Sequence, residues 1–399
     1  MQNLTERRKA LIRTTRRLLP QKIIVIAERY FAKWKALIGL TRRLLQRLST
    51  GLNAALPKML PQVVAILLAF LVGAVVLLVT GYSPLDAYGA MLSGAFGDIF
   101  GIGQTFTQAT PIIFTALAFL FAYKCGLFNI GAEGQFLVGA FAAALVGISF
   151  NGLPFFIHVP MALLAGVAAG AFWGFIPAVL KARLGAHEVI TTMMLSYVAL
   201  YVTGYMVNYP FKAPGWVAQT ILISPSAELP RILQPTQLSA SIFLAVLLAG
   251  VTDYILRKTI IGYEVRAIGL NPSAAESGGI SIKKGIVLAL TMSGAMAGLG
   301  GAGEILGVHR RFIEGFSPGY GWDGLAVALV GGLNPAGILL ASVLFGALRS
   351  GGMTMTRTTH VPLDIATILQ ALVILFVAAP KLVKYLMKKG GFKWWNSSK

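Results

Sequence analysis

The stretch Arg257 to Lys284, RKTIIGYEVRAIGLNPSAAESGGISIKK, is a polar insert wedged between two long apolar runs, and the chain is organised around it. It carries five basic side chains and two acidic ones, with Gly262, Gly269 and the pair Gly278-Gly279 at helix-breaking positions. In its middle, Asn271-Pro272 predicts a helix start. The Asn side-chain oxygen accepts from the first free amides, and Pro is pre-set for the first helical position. Ser273 to Ser277, with Ala274, Ala275 and Glu276 between, then makes barely two turns, closed by Gly278-Gly279. A helix that short does not stand alone in water. Nothing apolar in its own loop supplies a partner, so the insert is expected to dock on something else.

Composition sets the class. With 56% hydrophobic and 12% charged residues, and a mean hydropathy of +0.74, the chain lacks the charge a water-facing surface needs. An all-α polytopic integral membrane protein is expected. Apolar runs of about 20 residues cross the hydrocarbon as helices, and eight full spans are predicted near 61–80, 105–122, 126–148, 160–180, 189–208, 238–256, 285–306 and 363–379. The single Cys125 excludes an internal disulfide framework. No secretory signal peptide is expected, because the first long apolar run starts after Leu60.

The net charge of +20 is unevenly placed. Residues 1–58 hold 14 Lys and Arg against Glu6 and Glu28, and the tail 381–399 holds six Lys and no acid. By the positive-inside bias both termini belong in the cytoplasm. The basic extension 1–58, with Leu11, Ile12, Trp34 and Leu37 interleaved, reads as an amphipathic segment on anionic lipid. A nucleic-acid arm is the rival reading. Membrane attachment already accounts for the charge, so no nucleic-acid partner is expected.

The external loop after the first span holds Asp86 and Asp98 but no Lys or Arg up to Gln104. The third span begins with Gly126-Leu-Phe-Asn129-Ile-Gly131-Ala-Glu133-Gly-Gln135, a polar, Gly-rich lead-in expected to be partly unwound. Irregular backbone at membrane depth survives only against protein or a wet cavity, and an intramembrane carboxylate is costly unless paired or solvated. Glu133 is therefore a functional candidate, or a hydrogen-bond anchor to a neighbouring helix end. Gly166, Gly170 and Gly174 form a small-residue face for close helix packing. Tyr197, Tyr201, Tyr205 and Tyr209 line one helix face at four-residue spacing, either as a stacking wall for a planar solute or as packing and interfacial anchor. The Pro-rich loop 209–237 reads as rigid and external, fit to receive a partner.

Gly298-x-Gly300-x-x-Gly303 matches a dinucleotide-binding pattern in form only, since no strand precedes it and it lies inside an apolar span. No phosphate-binding loop, H-E-x-x-H, G-x-S-x-G or cluster of metal ligands occurs, so neither catalysis nor a cofactor is expected of this chain. The segment Tyr320 to Ser350, broken at Gly331-Gly332-Leu333-Asn334-Pro335, is read as a re-entrant pair of half-helices, 322–331 and 335–349, which keeps the Lys-rich end inside. That reading leaves Arg310, Arg311 and Arg357 outside, against the bias.

Four motifs now carry a resemblance. Gly262 to Ile280 is similar to the cytoplasmic loop of ABC-importer permeases of the branched-chain amino acid, ribose and simple-sugar group. Gly126 to Gln135, Glu188-Val-Ile-Thr-Thr-Met-Met-Leu and Gly321-Trp322-Asp323-Gly-Leu-Ala-Val-Ala-Leu resemble its nucleoside-uptake branch, over about residues 60–380. The resemblance implies an importer-type permease fold over 59–380, in a multi-pass bacterial inner-membrane protein, with loop 257–284 coupled to a separate cytoplasmic ATPase. In that reading the helix within Asn271, Pro272, Ser273, Ala274, Ala275, Glu276 and Gly278 docks on the ATPase, while Glu264, Arg266 and Glu276 hold the loop or meet the ATPase by charge pairs. It also implies a second permease subunit, the same or a sister chain, and an extracytoplasmic solute-binding lipoprotein. Asn129, Glu133, Gln135, Tyr197, Tyr201, Asn208, Glu304, Trp322 and Asp323 are the candidate pathway residues for a neutral, planar, hydroxyl-bearing solute. The alternative is an ion-gradient-driven secondary transporter using Glu133, Glu304 or Asp323 as a proton site, and ATP dependence separates the two.

Overall fold

Three consecutive N-caps shape the insert. Thr259 accepts from the Gly262 amide at 3.2 Å, Asn271 from Ala274 at 3.2 Å and Ser281 from Lys284 at 3.5 Å, each satisfying an amide that the helix itself leaves free. The computed structural model of the chain describes residues 64–150 and 152–378. The expectations for the extension 1–58 and the tail 381–399 lie outside the described residues.

Among the described residues the named elements are all helices, joined by loops. In order come α1 (Val64–Val79), α2 (Pro84–Phe96), α3 (Ile99–Lys124), α4 (Ala132–Ser149), α5 (Phe155–Leu184), α6 (Glu188–Asn208), α7 (Ser241–Lys258), α8 (Ile260–Leu270), α9 (Pro272–Ser277), α10 (Ile282–Glu304), α11 (Tyr320–Val330), α12 (Pro335–Thr359) and α13 (Leu363–Ala378). A π-helical turn, Ile305–His309, prolongs α10.

Six helices are long and apolar enough to cross a membrane: α3, α4, α5, α6, α10 with its π turn, and α12. Five of them fall on predicted spans. The sixth differs, because the second limb of the expected hairpin does not stop at 349 but runs 25 residues to Thr359. The predicted spans at α1 and α13 are apolar but shorter helices, and α7 carries Asp253, Arg257 and Lys258 in its last turns.

Glycines in α5 and α10 set the closest crossing. A Cβ on Gly170 would sit 2.7 Å from the Gly298 Cα, and one on Gly294 would sit 3.1 Å from the Gly174 Cα, so the backbones meet where larger residues would force them apart. α3 is buried along most of its length. Its Phe114, Leu117, Phe119, Leu120 and Phe121, all fully buried, form part of the main core.

The bundle has two distinguishable ends. At one, Arg257 Nη2 donates to Asn334 Oδ1 at 3.4 Å, so the turn between α11 and α12 lies beside the insert. At the other, the loop after α6 is laced to the end of α10: Thr220 N donates to Phe312 O at 2.9 Å and Leu229 N to Leu306 O at 2.8 Å. Arg310, a cation read as misplaced, is paired there with Glu228 at 2.9 Å, which offsets its cost.

Two readings of the insert need correction. Gly262 and Gly269 do not break helices; both lie inside α8. They are small because other backbone lies against them: a Cβ on Gly269 would stand 3.0 Å from the Gly126 nitrogen and clash with the Lys124 carbonyl oxygen. The insert also supplies its own support for the short helix. Ala275 is buried in the same core as Val265 and Ile268 of α8.

Candidate functional site

The α3–α4 break is unwound as its sequence requires, with Gly126 at φ +78° and no helix before Ala132. Broken backbone inside an apolar bundle needs side-chain partners, since an unsatisfied amide there costs several kcal/mol. Asn129, fully buried, provides them. Its Nδ2 donates to Gln135 Oε1 at 2.9 Å and to Ser293 Oγ of α10 at 2.8 Å, while its Oδ1 accepts from the Gly131 amide at 2.9 Å. Ser293 in turn donates to the Ala118 carbonyl of α3 at 2.7 Å. On the other side, the Ile130 amide donates to Thr192 Oγ1 and the Gly134 amide to Ser196 Oγ, both on α6.

Glu133, 8% exposed, points away from that cluster and holds the start of α11. Its Oε2 accepts from the Gly321 amide at 2.6 Å, and at the same helix start Ser317 Oγ accepts from the Gly319 and Tyr320 amides. A carboxylate at a helix N-terminus gains from both the free amides and the dipole. One turn on, Asp323 pairs with Arg349 of α12 at 3.0 Å. Arg349 also donates to the Pro318 carbonyl at 3.3 Å and stacks 5.1 Å over the Tyr320 ring. Tyr320 completes the link by donating its hydroxyl to Gln108 Oε1 of α3 at 3.0 Å. Aromatic rings adjoin this network. Phe136 stacks on Phe316 with centroids 5.9 Å apart and meets Tyr320 edge-on at 5.8 Å. Beyond Phe316, whose ring lies 5.2 Å from His309, the His309 Nε2 stands 3.5 Å from the buried Glu304 carboxylate.

The structure thus brings Asn129 and Gln135 together, joins Glu133 and Asp323 through α11, and sets Glu304 nearby behind a ring. Other candidates lie elsewhere. Tyr197 is 44% and Tyr201 72% exposed, on the outer face of α6. Asn208 bonds Glu314 at 2.8 Å at the far end of the bundle. The Trp322 side chain is half-exposed beside Gly319. Residues not singled out from sequence include Gln108, Phe136, Ser293, Phe316, Tyr320 and Arg349. Only Arg349 carried a visible mark, a cation inside an apolar run.

In the insert, Ala275 is buried, Glu264 is half-buried, and Arg266, Asn271, Pro272, Ser273, Ala274, Glu276 and Gly278 are exposed. Arg266 Nε donates to the Gly262 carbonyl of its own helix at 3.2 Å. Leu270 is 88% exposed beside them, with Tyr263 at 61%.

Replacing Glu133 separates its charge from its hydrogen bond. Glu133→Ala leaves the buried Gly321 amide without an acceptor, a cost of about 1–3 kcal/mol, whereas Glu133→Gln keeps an oxygen there. The thermal midpoint of the detergent-extracted protein is expected to fall for Ala and to stay near wild type for Gln. Equal losses would contradict the anchoring geometry.

A bundle of apolar helices with carboxylates, amides and a guanidinium in its interior, and a capped polar insert at one end, has the build of a multi-pass membrane permease. The family profile described as the permease component of branched-chain amino acid transport systems matches residues 101–378. The chain belongs to that family. It is 41% identical over 340 residues to the guanosine ABC transporter permease protein NupP of Bacillus subtilis (strain 168), covering 84% of this chain and 97% of that one. It is 36% identical to the nucleoside ABC transporter permease protein NupB of Lactococcus lactis subsp. cremoris over 85% of this chain and 95% of that one. A glucose ABC transporter permease protein of Haloferax volcanii is 35% identical over 81% of this chain and 87% of its own length. No solved structure matches.

Proposed function

We infer that this chain is a permease subunit of an ABC importer, forming the membrane path for a nucleoside or a related sugar and driven by a separate cytoplasmic ATPase. The observation that carries this is the similarity, over nearly the whole length of the relative, to a guanosine permease at 41% identity. The interior suits such a solute: amides and carboxylates match hydroxyl and ring-nitrogen edges, and Phe136, Phe316 and Tyr320 supply flat apolar faces. In this reading the stacking wall is that cluster rather than Tyr197 and Tyr201.

Residues 257–284 are the coupling loop. The exposed Leu270, Tyr263 and α9 form a surface that a cytoplasmic ATPase covers, with Arg266 and Glu276 at its rim and Glu264 between loop and partner. The insert end and both termini are then cytoplasmic, and the loop 209–237 faces an extracytoplasmic solute-binding lipoprotein. A second permease subunit completes the pathway across the exposed outer helices, in a bacterial inner membrane. Eight full crossings plus the α11–α12 pair remain the topology we favour, with α1, α7 and α13 counted as crossings and α12 reaching from one face to the other.

The test is uptake of radiolabelled guanosine and, separately, of radiolabelled glucose by cells expressing the chain with its ATPase and binding protein, each competed by unlabelled nucleosides and by glucose. Competition by nucleosides alone supports the nucleoside reading. Competition by glucose alone moves the substrate to sugars, and no uptake of either solute refutes the assignment.

A further inference from the structure

At the end of the bundle away from the insert lies a cavity of about 380 Å³ between the α2–α3 junction, the loop at Gln237 and the last turns of α12. Its size falls in the range of small-molecule sites. Its wall combines the Asp98 carboxylate, the Arg357 guanidinium, the Gln104 and Gln237 amides, the Phe100 ring and the Thr354 hydroxyl. The Asp98 carboxylate caps α3 by accepting from the Gly101 amide, and with the Arg357 guanidinium it leaves the wall without net charge, so a neutral solute meets no charge barrier there. Two amides present donors and acceptors together, and the ring offers a stacking face.

The cavity is also the outer end of a polar track. Gln104 stands one turn from Gln108 along α3, and Gln108 accepts from Tyr320 at the heart of the inner network. On α12, Arg357 and Met353 of the cavity wall lead at four-residue steps to Arg349, the partner of Asp323. Along α3 the two amides sit one turn apart, while on α12 the apolar Met353 separates Arg357 from Arg349, which lie about 12 Å apart along the helix.

We propose that this cavity is a receiving site for the transported solute, a neutral hydroxyl-bearing molecule with a flat face, which it hands along the Gln104–Gln108 and Arg357–Arg349 tracks to the inner network. The proposal rests on the importer reading above. The competing occupant of such a cavity is a loop of the solute-binding protein.

The experiment uses the full complex in lipid nanodiscs and in cells, with Ser93→Cys in a Cys125→Ala background and Met353→Cys as a second position, both lining the cavity without a polar contact assigned to the solute. Wild-type uptake of guanosine and of glucose is measured first, and the solute that is taken up serves as probe. If neither is taken up, the importer reading itself fails. With uptake established, each variant is treated with a bulky, membrane-impermeant methanethiosulfonate. The expected result is that modification at either position cuts uptake at least about tenfold, and that solute added without binding protein slows modification severalfold in nanodiscs. Uptake before modification shows that the variant has folded. Labelling unaffected by solute, or uptake unaffected by labelling, overturns the proposal. Protection by the binding protein, loaded and empty alike, with none by solute alone, overturns it in favour of a docking socket.

Discussion

Gly269→Val is expected to abolish most uptake while leaving the complex assembled. Gly269 closes α8, and a side chain there would drive into the Lys124 carbonyl, with the Gly126 nitrogen 3.0 Å away. Those two residues form the join between α3 and the unwound lead-in to α4, and Asn129, Glu133 and Gln135 follow directly. The insert therefore rests backbone to backbone on the segment that leads into Asn129, Glu133 and Gln135. A rigid contact of this kind transmits displacement well, because packed interfaces shift between discrete arrangements rather than deform smoothly. Overpacking costs about 1–3 kcal/mol, and as a coupling energy that corresponds to a loss of about 5- to 150-fold. The check is labelled guanosine uptake beside co-purification of the ATPase proposed to cover this face, because the added side chain points at Lys124 and Gly126 and not at α9. Retained ATPase with lost uptake is the expected pattern. Normal uptake would show that the α8 contact transmits nothing.

Arg349→Ala should have the largest effect on stability. The Asp323–Arg349 pair is mostly buried, with side chains 17% and 15% exposed. Removing the cation leaves a carboxylate uncompensated in an apolar bundle, and breaking such a pair costs about 3–5 kcal/mol, reduced here by the residual exposure. It also strips the Pro318 carbonyl of its donor. Membrane abundance and the melting temperature of the extracted protein are expected to drop steeply. The double variant Arg349→Met with Asp323→Leu removes both charges, and replacing an ion pair by apolar groups is often close to neutral. It should recover abundance but not uptake, since the proposed path then lacks its buried charge pair. Uptake restored along with abundance would show the pair to be scaffolding only.

The short helix α9 was the most legible part of the insert, because caps and helix stops are local chemistry. Asn271-Pro272 and Gly278-Gly279 bound α9 as their residue types require, with Gly279 at φ +85°. α8 was not legible. Its two glycines look like helix breakers in one dimension, and their reason, a backbone lying against each, is visible only in three. The unwound lead-in to α4 was readable from its polar and glycine content, and the presence of a buried carboxylate at Glu133 with it. Its partner was not: Gly321 lies 188 residues away. The tyrosine ladder of α6 shows the limit of periodicity in a membrane. Four-residue spacing says that Tyr197, Tyr201, Tyr205 and Tyr209 share a face, but lipid is as apolar as a core, so the pattern does not say which way the face points. In the structure it points outward. Arg349 escaped for a related reason, since its value depends on Asp323 in another helix. The length of α12 escaped because the Gly351-Gly352 pair and the threonines after it weaken an apolar reading that tertiary packing restores.

In the proposed mechanism, ATP binding on a separate subunit drives this chain through residues 257–284. This coupling is tested most directly by replacing Asn271 to Gly279 with a Gly/Ser linker of equal length and measuring labelled guanosine uptake, membrane abundance and ATPase co-purification together. The account predicts that uptake is lost and the ATPase no longer co-purifies while abundance holds. Undiminished uptake would contradict it and point to a self-contained transporter driven by an ion gradient.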